Sequence, residues 1–156
     1  MKNGIIILLL LVLVSGCVGQ MPADEDKIIQ LSQCESMHDQ AAKDACYLQN
    51  AMEGHNLQLC NSVQDNYSKA VNCYARIAEI GKNLSICNRI QKQDWKDDCY
   101  RFVARAKHEL SICDSIATSY IKDECYKDVA VVRADASVCE KIQMTEIRND
   151  CYNSTA

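Results

Sequence analysis

The sequence predicts an all-α protein, a short α-solenoid of five disulfide-stapled helical hairpins, and three observations predict it. Glycine (5) and proline (1) are too scarce for a loop-rich or all-β chain. Ten cysteines beyond position 17 recur with a near-constant period of 26 residues. Around each cysteine the apolar residues return at intervals of three and four, the spacing of one helix face.

The first element is an address. Lys2 precedes ten unbroken apolar residues, Ile5 to Val14, the pattern of a signal-peptide core. Ten helical residues rise about 15 Å, roughly half of a bilayer's hydrocarbon thickness, so a permanent span is the weaker reading. The run ends in Val14-Ser15-Gly16-Cys17, an aliphatic residue, two small residues and a cysteine. This resembles the lipobox of prokaryotic lipoproteins, in which the cysteine thiol receives a diacylglyceryl group and the chain is cut just before it. The resemblance implies that residues 1–16 are removed and that Cys17 carries the lipid. It also implies that the mature protein sits on the cell membrane facing outside the cytoplasm. Two acyl chains anchor stably where one does not. Residues 17–27, with Gly19, Pro22 and the acids Asp24, Glu25 and Asp26, read as the lipidated cysteine and its tether.

Residues 28–156 are five copies of one unit. The cysteines stand at 34, 46, 60, 73, 87, 99, 113, 125, 139 and 151, with spacings of 12 or 13 alternating with 14. The extra residue falls in the second copy. Three residues before the first cysteine of each copy stand Leu31, Leu57, Leu84, Leu110 and Ala136. The second cysteine is always followed by tyrosine (Tyr47, Tyr74, Tyr100, Tyr126, Tyr152) and, five residues on, by alanine (Ala51, Ala78, Ala104, Ala130, Ala156). The arrangement is similar in principle to tetratricopeptide-type arrays, but neither the period nor the consensus matches them.

Each copy reads as two helices. Around the first cysteine, apolar positions at −3, 0 and +3 predict a helix of about two turns, with Asn56, Asn83 and Asp135 as N-caps. Around the second, apolar positions at −4, 0, +4 and +5 predict a core-facing helix. Acids just before the second cysteine (Asp44, Asp97, Asp98, Asp123, Glu124, Asp150) read as a solvated helix start favoured by the helix dipole. Neither helix persists alone at such length, so neighbouring copies must supply a shared core.

Within a copy each cysteine lies about one turn from the connecting loop, so antiparallel helices bring the two level, within reach of the roughly 5.5 Å Cα separation a disulfide requires. Pairing a second cysteine with the next copy's first would leave the two about a turn, roughly 5 Å, out of level. The expected bridges are therefore Cys34–Cys46, Cys60–Cys73, Cys87–Cys99, Cys113–Cys125 and Cys139–Cys151. Closing a loop of this size contributes roughly 2–3 kcal/mol in the chain-entropy model.

Composition narrows the function classes. Eleven cysteines without any C-x-x-C motif argue for an oxidising compartment rather than a zinc ribbon, a thioredoxin-like site or a c-type haem. A formal charge of −4 disfavours nucleic acid. The recurring tyrosines, Tyr47, Tyr74, Tyr100, Tyr126 and Tyr152, are a candidate binding strip for a protein or glycan, with packing between repeats as the plainer reading. His55 and His108 share a repeat position two copies apart and His38 lies in another loop, so no metal site is expected from them. The Lys-Asp pairs do not face one another on a helix and make a poor acid–base dyad. Asn66, Asn83 and Asn153 open N-x-S/T sequons, a weakly specific motif. The departures from consensus, Glu53, His55, Trp95 and the residue added before Cys73, form no recognisable catalytic group. The expected role is a non-enzymatic, membrane-anchored structural or protein-interaction module without a cofactor. Cysteine-based metal binding or thiol redox chemistry is the alternative.

Overall fold

The computed structural model describes residues 32–156; the expected leader (1–16), Cys17, the expected tether and Leu31 lie outside the described residues. The fold is all-α, with no strand among the described residues. Each copy opens with a short helix bearing its first cysteine: 32–36, Leu57–Ser62, Leu84–Arg89, Leu110–Asp114 and Ala136–Lys141. Three of the five wind as six-residue 3-10 helices, two turns at three residues per turn. Asn56, Asn83 and Asp135 cap them, each side chain accepting from the amide two residues on. The exit is set by residue +3. Val63, Ile90, Ile116 and Ile142 return their amides to the cysteine carbonyl and bury their aliphatic side chains.

The second helices are longer: Gln40–Glu53, 66–80, Gln93–Lys107, Ser119–Arg133 and Thr145–Thr155. In copy 2 the added residue is absorbed by a π-helical stretch, Ser68–Tyr74, before α-helix resumes over Ala75–Ile80. A π-turn takes more residues than an α-turn, so Cys73 still arrives opposite Cys60. Their Cα separation is 5.6 Å, within the 5.5–5.8 Å seen at the other bridges. All five disulfides join the two cysteines of one copy, the scheme that levelling within a hairpin favours.

One turn links every copy to the next. His55, Lys82, His108 and Ala134 take left-handed φ values of 47–56°. The residue after each (Asn56, Asn83, Glu109, Asp135) donates its amide to the carbonyl of Ala51, Ala78, Ala104 or Ala130. This six-to-one bond is the Schellman closure of a helix C-terminus. Asn56, Asn83 and Asp135 therefore close one helix and cap the next. The recurring alanine is fully buried at all four turns, which leaves room for the turn to fold back over it.

Extensive packing occurs only within a copy or between neighbours, the signature of a linear array. One apolar core runs from Ala51 to Cys151, threaded by four of the disulfides and the aliphatic residues Ile77, Val103 and Val129. A small satellite of Cys34, Tyr47 and Val63 closes the first copy. Charge ties the long helices together outside the core. Arg105 pairs with Glu79 of copy 2 and with Asp128 of copy 4, and Arg76, Arg101 and Arg105 surround the ring of Phe102 at 4.5, 4.9 and 5.6 Å.

Candidate functional site

The tyrosine strip is not an exposed ladder. Tyr47, Tyr74 and Tyr126 are buried, Tyr100 is half-buried, and Tyr152 alone of the five is exposed, at 41 %. The phenols of Tyr74, Tyr100 and Tyr126 donate to Asn61, Asn88 and Asp114, in each case the residue after the first cysteine of the same copy. A tyrosine beside a core cysteine has its ring in the interior and its hydroxyl within reach of the facing short helix. It acts as a second rung next to the disulfide. Burial, and then the Asp114 carboxylate, pushes the Tyr126 phenol up to about 12.

The aspartates of the Lys-Asp pairs also differ from expectation. They are not solvated: Asp44, Asp97 and Asp123 are 6 %, 0 % and 3 % exposed. Each reaches forward into the next copy and accepts from the backbone of its connecting loop. Asp44 takes the amides of Gln64 and Asp65 at 2.9 and 2.8 Å, Asp97 that of Thr118 at 2.8 Å, and Asp123 those of Gln143 and Met144. A carboxylate is a strong acceptor for amides that the short helix and the long helix both leave unpaired. Burial alone would raise the pKa of Asp44 and Asp97. The donated amide bonds, with Gln40 and Gln93 adding side-chain bonds, outweigh it and hold both below the usual carboxylate value. The signal in the sequence is the recurrence of Lys-Asp at one register in three of the five copies, a pattern that reads as a surface feature.

One junction lacks this carboxylate. The amide of Lys69 donates to Asp65 as those of Lys43, Lys96 and Lys122 donate to Asp39, Lys92 and Thr118, which fixes the register ahead of the π-helical residues. Ala70 therefore stands where Asp44, Asp97 and Asp123 stand. In place of a carboxylate bridge, copies 2 and 3 form a half-open cavity of ≈ 400 Å³. Lys69, Ala70 and Tyr74 line one side, and Arg89, Gln91, Lys92 and Trp95 the other. Trp95 is the chain's only tryptophan; Tyr67 meets it edge-on at 5.7 Å and the Lys92 ammonium sits 4.5 Å from its centroid. No acid lines the cavity, although the chain is acidic overall.

The remaining candidates disperse. His55 and His108 occupy separate inter-copy turns. Among the described residues no group of three or more His, Cys, Asp or Glu is placed to hold a metal ion. Of the sequon asparagines, Asn83 is engaged as an N-cap, Asn66 borders the cavity and Asn153 lies exposed on the last helix. Nine of the ten disulfide cysteines are fully buried; Cys46 is partly exposed, beside a surface hollow lined by Met37, Ala42 and Ala45. Cys17 lies outside the described residues, and no helix among those described is long and apolar enough to cross a membrane. Compared with family models, curated proteins and solved structures, the chain matches none.

Proposed function

We propose that this chain is a lipid-anchored module of the extracytoplasmic membrane surface, a non-enzymatic scaffold whose stacked hairpins hold a binding face away from the bilayer. The observation that carries the reading is that every copy is closed by its own disulfide, with nearly all the sulfurs buried. Cross-links of this density suit a compartment without cytosolic reductants. The lipobox-like run Val14-Ser15-Gly16-Cys17 supplies the means of attachment. Expression of the native chain and of Cys17→Ser in a lipoprotein-processing bacterium tests it. The native protein should partition with membranes, be released by detergent and carry the mass of a diacylglyceryl group. Cys17→Ser should lose that mass and the membrane association that depends on it. Equal behaviour of the two would end the proposal. Intact mass with and without alkylation separates this reading from thiol or metal chemistry, because a scaffold has no free thiol among the ten repeat cysteines.

A further inference from the structure

The cavity between copies 2 and 3 deepens that reading, on which it rests only for its setting. Three of the four junctions place a carboxylate against loop amides of the following copy: Asp44 and Asp123 take those at +4 and +5 from its first cysteine, and Asp97 takes that at +5. At the remaining junction the matching residues are Gln91 and Lys92. The side chain facing them is the methyl of Ala70, and neither amide has a protein acceptor among the described residues. The void left by a missing carboxylate is also where cations gather. Lys69 and Arg89 line it with no carboxylate oxygen within 4 Å among the described residues, Lys69 attracting Asp44 from farther off, and Lys92 holds a 3.9 Å contact with Asp94 and a cation–π contact with Trp95. The flat apolar wall beside them is Trp95.

From these observations we infer that the junction of copies 2 and 3 binds a small organic carboxylate from solution. The ligand's carboxylate takes the place that Asp97 and Asp123 hold at the neighbouring junctions, and its apolar stem lies against Trp95. Three features point to this chemistry. The same backbone positions hold carboxylates elsewhere in this molecule, so the amide geometry is one that selects that group. Charge-assisted bonds from Lys69, Arg89 and Lys92 add the attraction of three cations to the amide bonds. A volume of ≈ 400 Å³ lies within the range of small-ligand pockets, roughly 300–1,000 Å³. The site exists in copy 2 only because Ala70 stands where an aspartate would fill the space; it lies beside the π-helical stretch that absorbs the added residue, and such stretches recur at functional sites.

Trp95, the single tryptophan, makes binding directly readable by fluorescence in the detergent-solubilised full chain. The probes are 3-phenylpropionate, its neutral amide, and inorganic phosphate. The expected result is a saturable change with the carboxylate, and none with the amide or with phosphate at tenfold higher concentration. Arg89→Gln, an exposed position that does not threaten folding, should weaken the carboxylate at least tenfold. Ala70→Asp supplies the missing group internally and should abolish the response. No saturable change with 3-phenylpropionate, an equal response to its amide, equal binding of phosphate, or unaltered affinity in Arg89→Gln would each overturn the inference. Because the readout is independent of Cys17, a failure here is distinguishable from a failure of membrane anchoring.

Discussion

Removal of the Asp97 carboxylate should uncouple copies 3 and 4, and its size can be worked from the contacts. Asp97 is fully buried; one oxygen accepts the Thr118 amide at 2.8 Å and the other the Gln93 amide nitrogen Nε2 at 2.8 Å. A buried charge is not automatically stabilising, since desolvation opposes it. Here the carboxylate is held below its ordinary pKa, so the donors outweigh burial and the charged form is favoured over its state in water. In Asp97→Ala the Thr118 amide loses a charge-assisted bond, about 1.5–3 kcal/mol, while the exposed Gln93 side chain rehydrates at little cost. Asp97→Asn keeps the shape and one acceptor and should cost about 1 kcal/mol, the difference between a charged and a neutral bond. The assay is urea unfolding of the oxidised protein followed by circular dichroism. Because the folded pKa is depressed, the contribution is complete above the unfolded aspartate value, near pH 4, and fades as pH falls through the lower folded value. Asp44 shares the direction and adds to the same acid limb. The native protein and Asp97→Asn should therefore converge below pH 4. Equal stability of Asp97→Ala and the native chain at pH 7, or a gap between the native protein and Asp97→Asn that does not shrink in acid, would refute the reasoning.

Other outcomes follow from the turns and rungs. Ala134→Gly should raise stability by about 0.5–1 kcal/mol, because alanine carries a left-handed penalty at φ 50° that glycine does not; a lower urea midpoint would contradict the assigned turn. Under brief, mild reduction followed by alkylation and peptide mapping, Cys34–Cys46 should open first, since Cys46 is partly exposed and the other four bridges are fully buried. Simultaneous labelling of all five pairs would contradict this. Ultraviolet titration should show a phenol ionising near pH 12 that disappears in Tyr126→Phe. Because that folded pKa is raised, the stability tied to it is intact below pH 10 and lost above it. A Tyr126→Phe difference spectrum flat near pH 12 would reject the Asp114 contact.

Much of the architecture was legible because it is local. Period, helix pairs, N-caps Asn56, Asn83 and Asp135, and the bridges within copies all follow from spacings inside a window of about 26 residues. What escaped the sequence lies across windows. Asp44 and Asp97 sit in polar, lysine-flanked positions that look solvated, and their partners are backbone amides 20 or 21 residues away, which carry no side-chain signature. The tyrosines kept their register, but whether a ring at that register faces water or the short helix depends on how the hairpin closes. The cavity was equally hidden, since Ala70 reads as an ordinary helix residue until its counterparts are seen bridging to the next copy.

By itself the sequence determined the all-α class, the five-fold repetition and which thiols lie level, because helix periodicity and chain reach act within one hairpin. Only the tertiary structure decided how one hairpin holds the next. Burial turned three aspartates from surface charges into inter-copy acceptors, and a π-turn absorbed an added residue without breaking a disulfide. At the one junction where the aspartate is replaced by Ala70, close packing left a cation-lined space, because no side chain of the array fills it.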